Sequence, residues 1–344
     1  MPDNIESYKV LCQGGLTTSE NHLALAEQET GSATRLVNYE VSLYGGYRRI
    51  NGFSKYDATY SEVGVSNTQA SGSVSEGKVL GIAIYEDASS GNEILIAARK
   101  NVGSNTYSFL YYTPSVGWAV YNTGLTFNTV SGLKTVNKIR HISYNFGQGQ
   151  GNEICFVDGV NPAVIFNGTS WRQILNSNAS PTASGPYGGA MAYDSPAYVD
   201  VFQNHLFLGG DPSYLSGVAY SAPNASWDFT AASGAGQLAL GFDVVQFKPF
   251  RDNLFIFGRN AIKKAKPEST AGFVLEGVTA NVGCIATDSV QEIGGDLVFL
   301  SPDGLRPCAG TSRIGDVEIE SVSKKIQGLV ACLLYTSPSP RDRG

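Results

Sequence analysis

Short runs of apolar residues, separated by polar or glycine-rich turns, recur along most of this chain. The clearest run lies within residues 250–260, where Leu254 to Phe257 are apolar and polar residues at both ends predict tight turns. Because neighbouring side chains of a strand point to opposite faces, an unbroken apolar run predicts a strand that is buried on both faces.

Related runs surround five positions along the chain, which are Ile94, Ile154, Leu206, Leu254 and Leu297. The differences between successive positions are 60, 52, 48 and 43 residues, which indicates a repeated unit of about 40–50 residues. We divide each unit into four short antiparallel strands and predict an all-β fold. The prediction is a β-propeller of four-stranded blades over residues 78–331, with the last blade incomplete at the C-terminus.

The repeat also predicts the position of one strand and the packing of three tryptophans. In the third unit, the fourth strand is expected at residues 225–229. Trp118, Trp171 and Trp227 occur once per unit, and we expect them to pack between blades, where a large aromatic side chain buries most area. A short helix is expected within 321–330, after the last strands.

Residues 1–60 lack the repeat and are predicted to form an N-terminal arm and hairpin, followed by a Ser/Gly-rich linker at 61–77. The arm carries Leu16, Leu23 and Leu25, and the hairpin turns at Gly45 and Gly46. The hairpin mixes aromatic and guanidinium groups, as protein interfaces do. The candidate assembly residues are Tyr47, Arg48, Arg49 and Phe53. The alternative for the two arginines is a solvated edge strand, where charges prevent aggregation.

Composition supports an all-β protein and restricts its function. The 344 residues include 40 Gly, 18 Tyr and 16 Phe but only two Met, and the formal net charge is −6. An acidic chain argues against tight, non-specific binding to nucleic acid. Five scattered cysteines lack metal-ligand spacing and are expected to be free thiols. We see neither a secretory signal nor an apolar run long enough to cross a membrane.

The sequence contains few patterns that indicate a catalytic, cofactor-binding or metal-binding site. It contains no GxSxG, HExxH, P-loop or CxxC motif, so we predict no catalytic, cofactor-binding or metal-binding residues. The three histidines, His22, His141 and His205, are isolated and expected to be structural. Three lysines, Lys263, Lys264 and Lys266, are expected on a solvated edge. Several carboxylates lie near turns and are expected to cap them; they are Glu86, Asp87, Glu93, Glu153 and Asp158.

The last residues resemble something other than a natural protein. Residues 332–342, CLLYTSPSPRD, resemble a translated sequencing adapter, and such segments are excluded from fold reasoning. We therefore expect the natural sequence to stop near Ala331 and the 332–344 tail to be unpacked. Without that tail, which holds two arginines and one aspartate, basic residues fall from 24 to 22 and acidic residues from 30 to 29, giving a net charge of −7.

Five segments carry a resemblance to a known family. They are NYEVSLYGGYRRINGF (38–53), VDGVNPAVIFNGTSW (157–171), LFLGG with GVAYSAPNASWDF (206–210 and 217–229), FRDNLFIFGRNAIKKAK (250–266) and the stretch 277–307. They resemble the tail nozzle, or tail tubular, proteins of short-tailed and related marine phages, which stabilise packaged DNA. The resemblance implies a structural virion protein, made in the host cytoplasm, that carries a β-propeller and is not an enzyme. It also implies a homohexameric ring below the portal and adaptor proteins, in contact with tail tip or fibre proteins. DNA would pass through this ring without sequence-specific binding.

Two other functions stay open at this point. A propeller on the phage tail could bind or cleave host glycan, which would require carboxylates and exposed aromatic side chains that converge on one face. A cellular propeller scaffold is the third possibility. The acidic composition agrees with a DNA conduit, because each phosphate neutralised by the wall would hinder sliding.

Overall fold

The computed structural model describes residues 14–18, 31–42, 44–52, 78–101, 106–113, 117–121, 125, 138–147, 151–177, 187–268, 272–308 and 323–336. These residues are almost entirely β-strand and turn, as predicted. The contacts divide the chain into two compact units. The smaller contains Met1–Tyr56 and Ile293–Arg343, and the larger contains Asp57–Glu292. The predicted linker at 61–77 lies outside the described residues, and the predicted domain boundaries stay a prediction.

The chain's first strands form a small antiparallel hairpin in the smaller unit. Strand β1 (Tyr39–Val41) pairs with β2 (Tyr47–Arg49), and Glu40 lies opposite Arg48. Gly45 and Gly46 both have positive φ angles, 93° and 80°, a conformation that glycine adopts without steric cost. The glycine pair therefore turns the chain where the sequence predicts.

The larger unit contains four antiparallel sheets that follow one another along the chain. Sheet 1 has β3 (Val79–Glu86), β4 (Glu93–Lys100), β5 (Tyr107–Thr113) and β6 (Gly117–Val120). Sheet 2 has β7 (Arg140–Tyr144), β8 (Glu153–Val157), β9 (Val164–Phe166) and β10 (Trp171–Leu175), with β11 (Tyr187–Gly188) added parallel to β10. Sheet 3 has β12 (Tyr198–Phe202), β13 (His205–Gly209), β14 (Gly217–Tyr220) and β15 (Gly236–Ala239). Sheet 4 has β16 (Val244–Phe250), β17 (Asn253–Gly258), β18 (Ile262–Glu268) and β19 (Gly272–Thr279).

The fourth strand of sheet 3 differs from the prediction. Residues 225–229 form reverse turns instead, with hydrogen bonds from Ala225 N to Ala222 O and from Asp228 N to Ala225 O. The strand that completes the sheet is β15, which follows a 3₁₀ helix at Ala231–Ser233. The segment forms turns because Pro223 and Asn224 directly precede residues 225–229, and residues of these types favour turns over strands.

The remaining elements lie near the end of the described chain. They are β20 (Gln291–Ile293), β21 (Asp296–Ser301), β22 (Gly304–Pro307), a 3₁₀ helix (Lys324–Ile326) and α1 (Gln327–Thr336). The predicted short helix is confirmed, and it continues beyond Ala331. Cys332 is exposed, whereas the side chains of Leu333 and Leu334 lie outside the described residues, so the unpacked tail stays a prediction.

Three apolar clusters join consecutive sheets of the larger unit, and strand β8 explains how. All five residues of β8 are buried. Because side chains alternate along a strand, Ile154 and Phe156 belong to the cluster shared with sheet 1, and Cys155 and Val157 to the cluster shared with sheet 3. A third cluster joins sheets 3 and 4. A sheet buried on both faces between two others is compatible with a propeller-like fold.

The tryptophans only partly follow the prediction. Trp171 lies in the cluster between sheets 1 and 2, and Trp227 packs against the cluster between sheets 2 and 3. Trp118 is half-buried, and its ring contacts Tyr112 of the neighbouring strand in the same sheet. The prediction of packing between sheets is therefore confirmed for two of the three.

Candidate functional site

The first strands of the four sheets lie side by side around a cavity. Strand β7 contacts β3 and β12, and β12 also contacts β16. The cavity has a volume of about 320 Å³ and is lined by these four strands and by Asp288. Gly81 permits the close approach of β3, because a Cβ atom there would lie 2.8 Å from the carbonyl oxygen of Ile139. A hydrogen bond of 2.9 Å from Ile139 N to Leu80 O holds the same contact.

A network of charged groups crosses one side of this cavity. The Arg140 guanidinium donates to both carboxylate oxygens of Asp288, with Nε–Oδ1 at 2.7 Å and Nη2–Oδ2 at 2.8 Å. Arg140 also donates to Ala197 O at 3.2 Å, and Lys138 Nζ donates to Asp288 at 2.9 Å. Asp288 itself adopts a left-handed φ of 65°. The network thereby ties sheet 2, the entry to sheet 3 and the segment after sheet 4 to one another.

Electrostatics differ between the two carboxylates of the cavity. Burial alone would raise the pKa of Asp288, but hydrogen bonds and charge from Arg140 and Lys138 outweigh it, so the pKa is lowered. Burial raises the pKa of Asp200, and the charge of Lys248, 3.5 Å away, opposes it only in part. Asp288 is therefore held in its charged form more strongly than Asp200.

The charged groups of the cavity pair with one another. Its basic side chains, Lys138, Arg140 and Lys248, are each paired with a carboxylate. His141 also lines the cavity, and burial lowers the pKa of its imidazole, which keeps it neutral near pH 7. Within the described residues we find no nucleophile paired with a base at this site. No sequence pattern indicated that Arg140 and Asp288 would meet.

The predicted assembly residues belong to the hairpin of the smaller unit. The Tyr47 hydroxyl donates toward the carbonyl oxygens of Gly31 at 2.6 Å and Gly15 at 3.2 Å. Arg48 forms an exposed ion pair with Glu40 at 2.6 Å. Arg49 is exposed, and its side chain forms no hydrogen bond or ion pair with the described residues. Phe53 lies outside the described residues.

The hairpin exposes more apolar surface than its size can bury. Five large apolar side chains are at least 41% exposed, and Tyr44 at the turn is 98% exposed; they are Val37, Tyr39, Val41, Tyr44 and Ile50. A two-stranded hairpin with three residues per strand is marginal by itself, and a cluster of exposed apolar residues is typical of an interaction surface. Of the arm residues, Leu16 is half-buried, and Leu23 and Leu25 lie outside the described residues.

Two of the carboxylates that were predicted to cap turns do so, and a third is buried in a strand. Asp87 accepts hydrogen bonds from Ser89 and Ser90, and Asp158 accepts them from Val160 N and Asn161 N, so both cap turns as predicted. Glu153 is different, because it is a buried strand residue that accepts a 2.5 Å hydrogen bond from Ser226 Oγ. Burial raises the pKa of Glu153, and the hydrogen bond from Ser226 opposes this only in part.

The lysines of β18 were predicted to be solvated, and the cysteines were predicted to be free thiols. The lysines of β18 are not simply solvated, because Lys264 and Lys266 pair with Glu276 and Lys263 donates to Leu240 O at 2.7 Å. The four described cysteines keep their thiols and form no disulfide, as predicted; Cys332 is exposed and the other three are buried.

The raised pKa of Glu153 gives a testable prediction. For an acid whose folded pKa exceeds its unfolded value of about 4.3, the stability contribution is full below that value and falls as pH rises through the folded pKa. Glu153→Gln should therefore unfold at a higher temperature than the wild type at pH 8, and the difference should shrink at pH 4. Melting curves across this range test it. A difference that is constant with pH would show that Glu153 does not carry a buried charge.

Neither metal-binding clusters nor membrane-spanning helices occur in the part of the chain that the structure describes. Nowhere in it do three His, Cys, Asp or Glu side chains come together as a potential metal site. No helix in it is both long and apolar enough to cross a bilayer.

Comparison with known proteins finds only a distant structural similarity to solved structures. No protein-family model matches the sequence, and no curated protein matches it. Two similar solved structures are crystals of BBS1N in complex with ARL6DN. The one soaked with lead has 11% identity and a TM-score of 0.39, covering 67% of this chain and 65% of that one. The one soaked with mercury has 12% identity and a TM-score of 0.34, covering 67% and 64%. The chain thus spans slightly less than two thirds of their length, and similarity at this level supports no statement about function or partners.

Proposed function

We propose that this chain is a structural virion protein of a phage tail nozzle, folded as a β-propeller. In this proposal, copies of the chain form a hexameric ring below the portal and adaptor, line the DNA exit channel and help to retain packaged DNA. The five sequence segments that resemble nozzle proteins support the class of protein. The exposed apolar hairpin is the observation that carries the assembly role.

The connections between the sheets support the propeller part of the proposal. Each sheet of the larger unit is a meander whose first strand lies near the first strand of the next sheet. Each neighbouring pair shares a separate apolar cluster. A series of such meanders with adjacent first strands is what a radial arrangement around an axis requires, whereas a sandwich would pack two sheets face to face.

The assembly part rests on the two faces of the hairpin. Because directly opposed residues share a face, Arg49 lies on the face of Tyr39, and Arg48 lies on the other face with Glu40. Arg48 already has its carboxylate partner, so Arg49 and the exposed Tyr39 and Tyr44 form the surface available to a partner. We assign this surface to a neighbouring copy of the chain, because an excess of acidic over basic residues, 30 to 24, supplies carboxylates for the arginine.

The test is a charge reversal on this surface. Arg49→Glu combined with Tyr44→Ser should abolish ring assembly while leaving the melting temperature unchanged, because both side chains are exposed. Assembly, alone and with a portal–adaptor complex, is followed by electron microscopy and native mass spectrometry. Arg259→Glu, which changes an exposed arginine outside the hairpin, is the control and should assemble like the wild type. Normal assembly of the double variant would refute the role of this surface.

A further inference from the structure

A second cavity lies in sheet 3, away from the charged network. Its volume is about 530 Å³, within the range of about 300–1,000 Å³ that small-molecule sites occupy. We call it the Tyr214 cleft and define it by Tyr193, Ser213, Tyr214, Leu215, Gln237 and Asp243, all of which line it. The loop between β13 and β14 forms one wall, and β15 with the residue before β16 forms another.

The floor of the cleft is an aromatic platform. The ring of Tyr214 stacks parallel on Tyr193, with centroids 5.4 Å apart and an interplanar angle of 6°. Tyr193 is buried, while Tyr214 is 52% exposed. One face of the Tyr214 ring is therefore covered by Tyr193 and the other is open. Gly217 makes room for this pair, since a Cβ atom there would lie 2.4 Å from the Tyr193 hydroxyl oxygen.

Hydrogen bonds on both sides hold the loop that carries Tyr214 in place. The buried Asp211 carboxylate accepts hydrogen bonds from Ser195 N and Ser213 N, both at 2.8 Å. On the other side, Leu240 N donates to Ser216 O at 2.9 Å and Val244 N donates to Leu215 O at 2.8 Å. Because both sides are anchored, the platform exists before any ligand binds, which lowers the entropic cost of binding.

Two polar groups stand beside the platform. Gln237 donates its amide N–H to Met191 O at 3.1 Å, which fixes the amide orientation and leaves its oxygen as an acceptor. Asp243 is exposed, and its carboxylate accepts no hydrogen bond from the described residues. None of the described residues that line the cleft is basic, so it is poorly suited to an anion.

We propose that the Tyr214 cleft binds a neutral oligosaccharide. The apolar C–H face of a sugar ring stacks on the open face of Tyr214, and sugar hydroxyl groups donate to Asp243 and to the Gln237 oxygen. This combination of an aromatic surface with a few polar groups that fix orientation is what ligand sites use. The Asp243 carboxylate selects against sialylated or uronic sugars, because it repels their charge. The inference is independent of ring assembly, since the cleft lies within one sheet.

Binding is tested with the 344-residue chain and three defined probes. Maltotriose and tri-N-acetylchitotriose are the neutral probes, and α2,8-linked trisialic acid is the acidic one, each titrated by saturation-transfer NMR. We expect at least one neutral trisaccharide to bind and the acidic one not to bind. Absence of binding by both neutral probes, or equal binding of the acidic one, overturns the proposal.

Variants locate the binding to the cleft. Tyr214→Ala should weaken binding by about tenfold or more, the scale of a lost aromatic contact, while Tyr214→Phe should bind like the wild type. Val274→Ala, which truncates an exposed side chain outside the cleft, is the control and should leave the affinity unchanged. If Tyr214→Ala lowers the melting temperature, Asp243→Ala decides the matter and should weaken binding, because that exposed side chain has no structural partner among the described residues. Unchanged affinity in both Tyr214→Ala and Asp243→Ala, or a loss of binding in Val274→Ala, would place the sugar elsewhere and contradict the proposal.

Discussion

Replacing Trp171 by alanine is expected to lower the free energy of unfolding by about 3–5 kcal/mol, the usual cost of removing a buried tryptophan. The ring of Trp171 stacks on Phe166 with centroids 4.4 Å apart, and it contacts Phe109 of sheet 1 at 4.6 Å. It thus fills the core between two sheets, and truncation leaves a cavity that the surrounding strands cannot close. Urea unfolding followed by circular dichroism measures the loss.

Trp118 provides the matched control for this prediction. It is the same residue type in the same repeat, but it is half-buried and contacts Tyr112 of its own sheet. Trp118→Ala should therefore cost about 1 kcal/mol or less. Equal losses for the two variants would contradict the view that stability depends on contacts between sheets.

The second large effect is expected from Asp288→Asn. The substitution keeps the shape of the side chain but removes the charge that pairs with Arg140, whose side chain is only 21% exposed. A largely buried guanidinium without a counter-charge should cost about 2–3 kcal/mol at neutral pH. The same unfolding experiment measures this value.

The dependence of this effect on pH gives an independent check. The folded pKa of Asp288 is lowered, so its contribution is full above the unfolded value of about 3.9 and disappears as pH falls through the folded pKa. The wild type and Asp288→Asn should therefore converge in stability at low pH. Glu276→Gln is the control, because Glu276 likewise pairs with two basic side chains, Lys264 and Lys266, but its own side chain is 43% exposed. The stability of this variant should change little. A gap between wild type and Asp288→Asn that persists in acid would refute the ion-pair explanation.

The strands were predictable because they satisfy local rules. In the apolar run Leu254 to Phe257, three residues are buried and Phe255 is half-buried, and the runs of sheets 1, 2 and 4 coincide with strands. The prediction at 225–229 was wrong because aromatic residues there suggest a strand, while Pro223 and Asn224 begin a turn. Phe229 is nevertheless fully buried in the core between sheets 2 and 3, and Trp227 packs against the same core half-buried.

The sites could not be predicted in the same way. Arg140 and Asp288 are 148 residues apart, and their meeting depends on how the sheets are placed. Tyr193 and Tyr214 stack because a loop folds back between two strands, which leaves no periodic signal in the sequence. The hairpin was predictable, because glycines fix its turn, but the ion pair that separates Arg48 from Arg49 required the strand register.

The central claim is that this chain assembles as a ring component of a phage tail nozzle. Cryo-electron microscopy of the purified chain, alone and mixed with the portal and adaptor proteins of a short-tailed phage, tests this most directly. The account predicts six-fold rings with an open axial channel, bound below the adaptor, with a propeller in each subunit. Particles that remain monomeric in both samples, or subunits whose sheets stack as a sandwich, would contradict it.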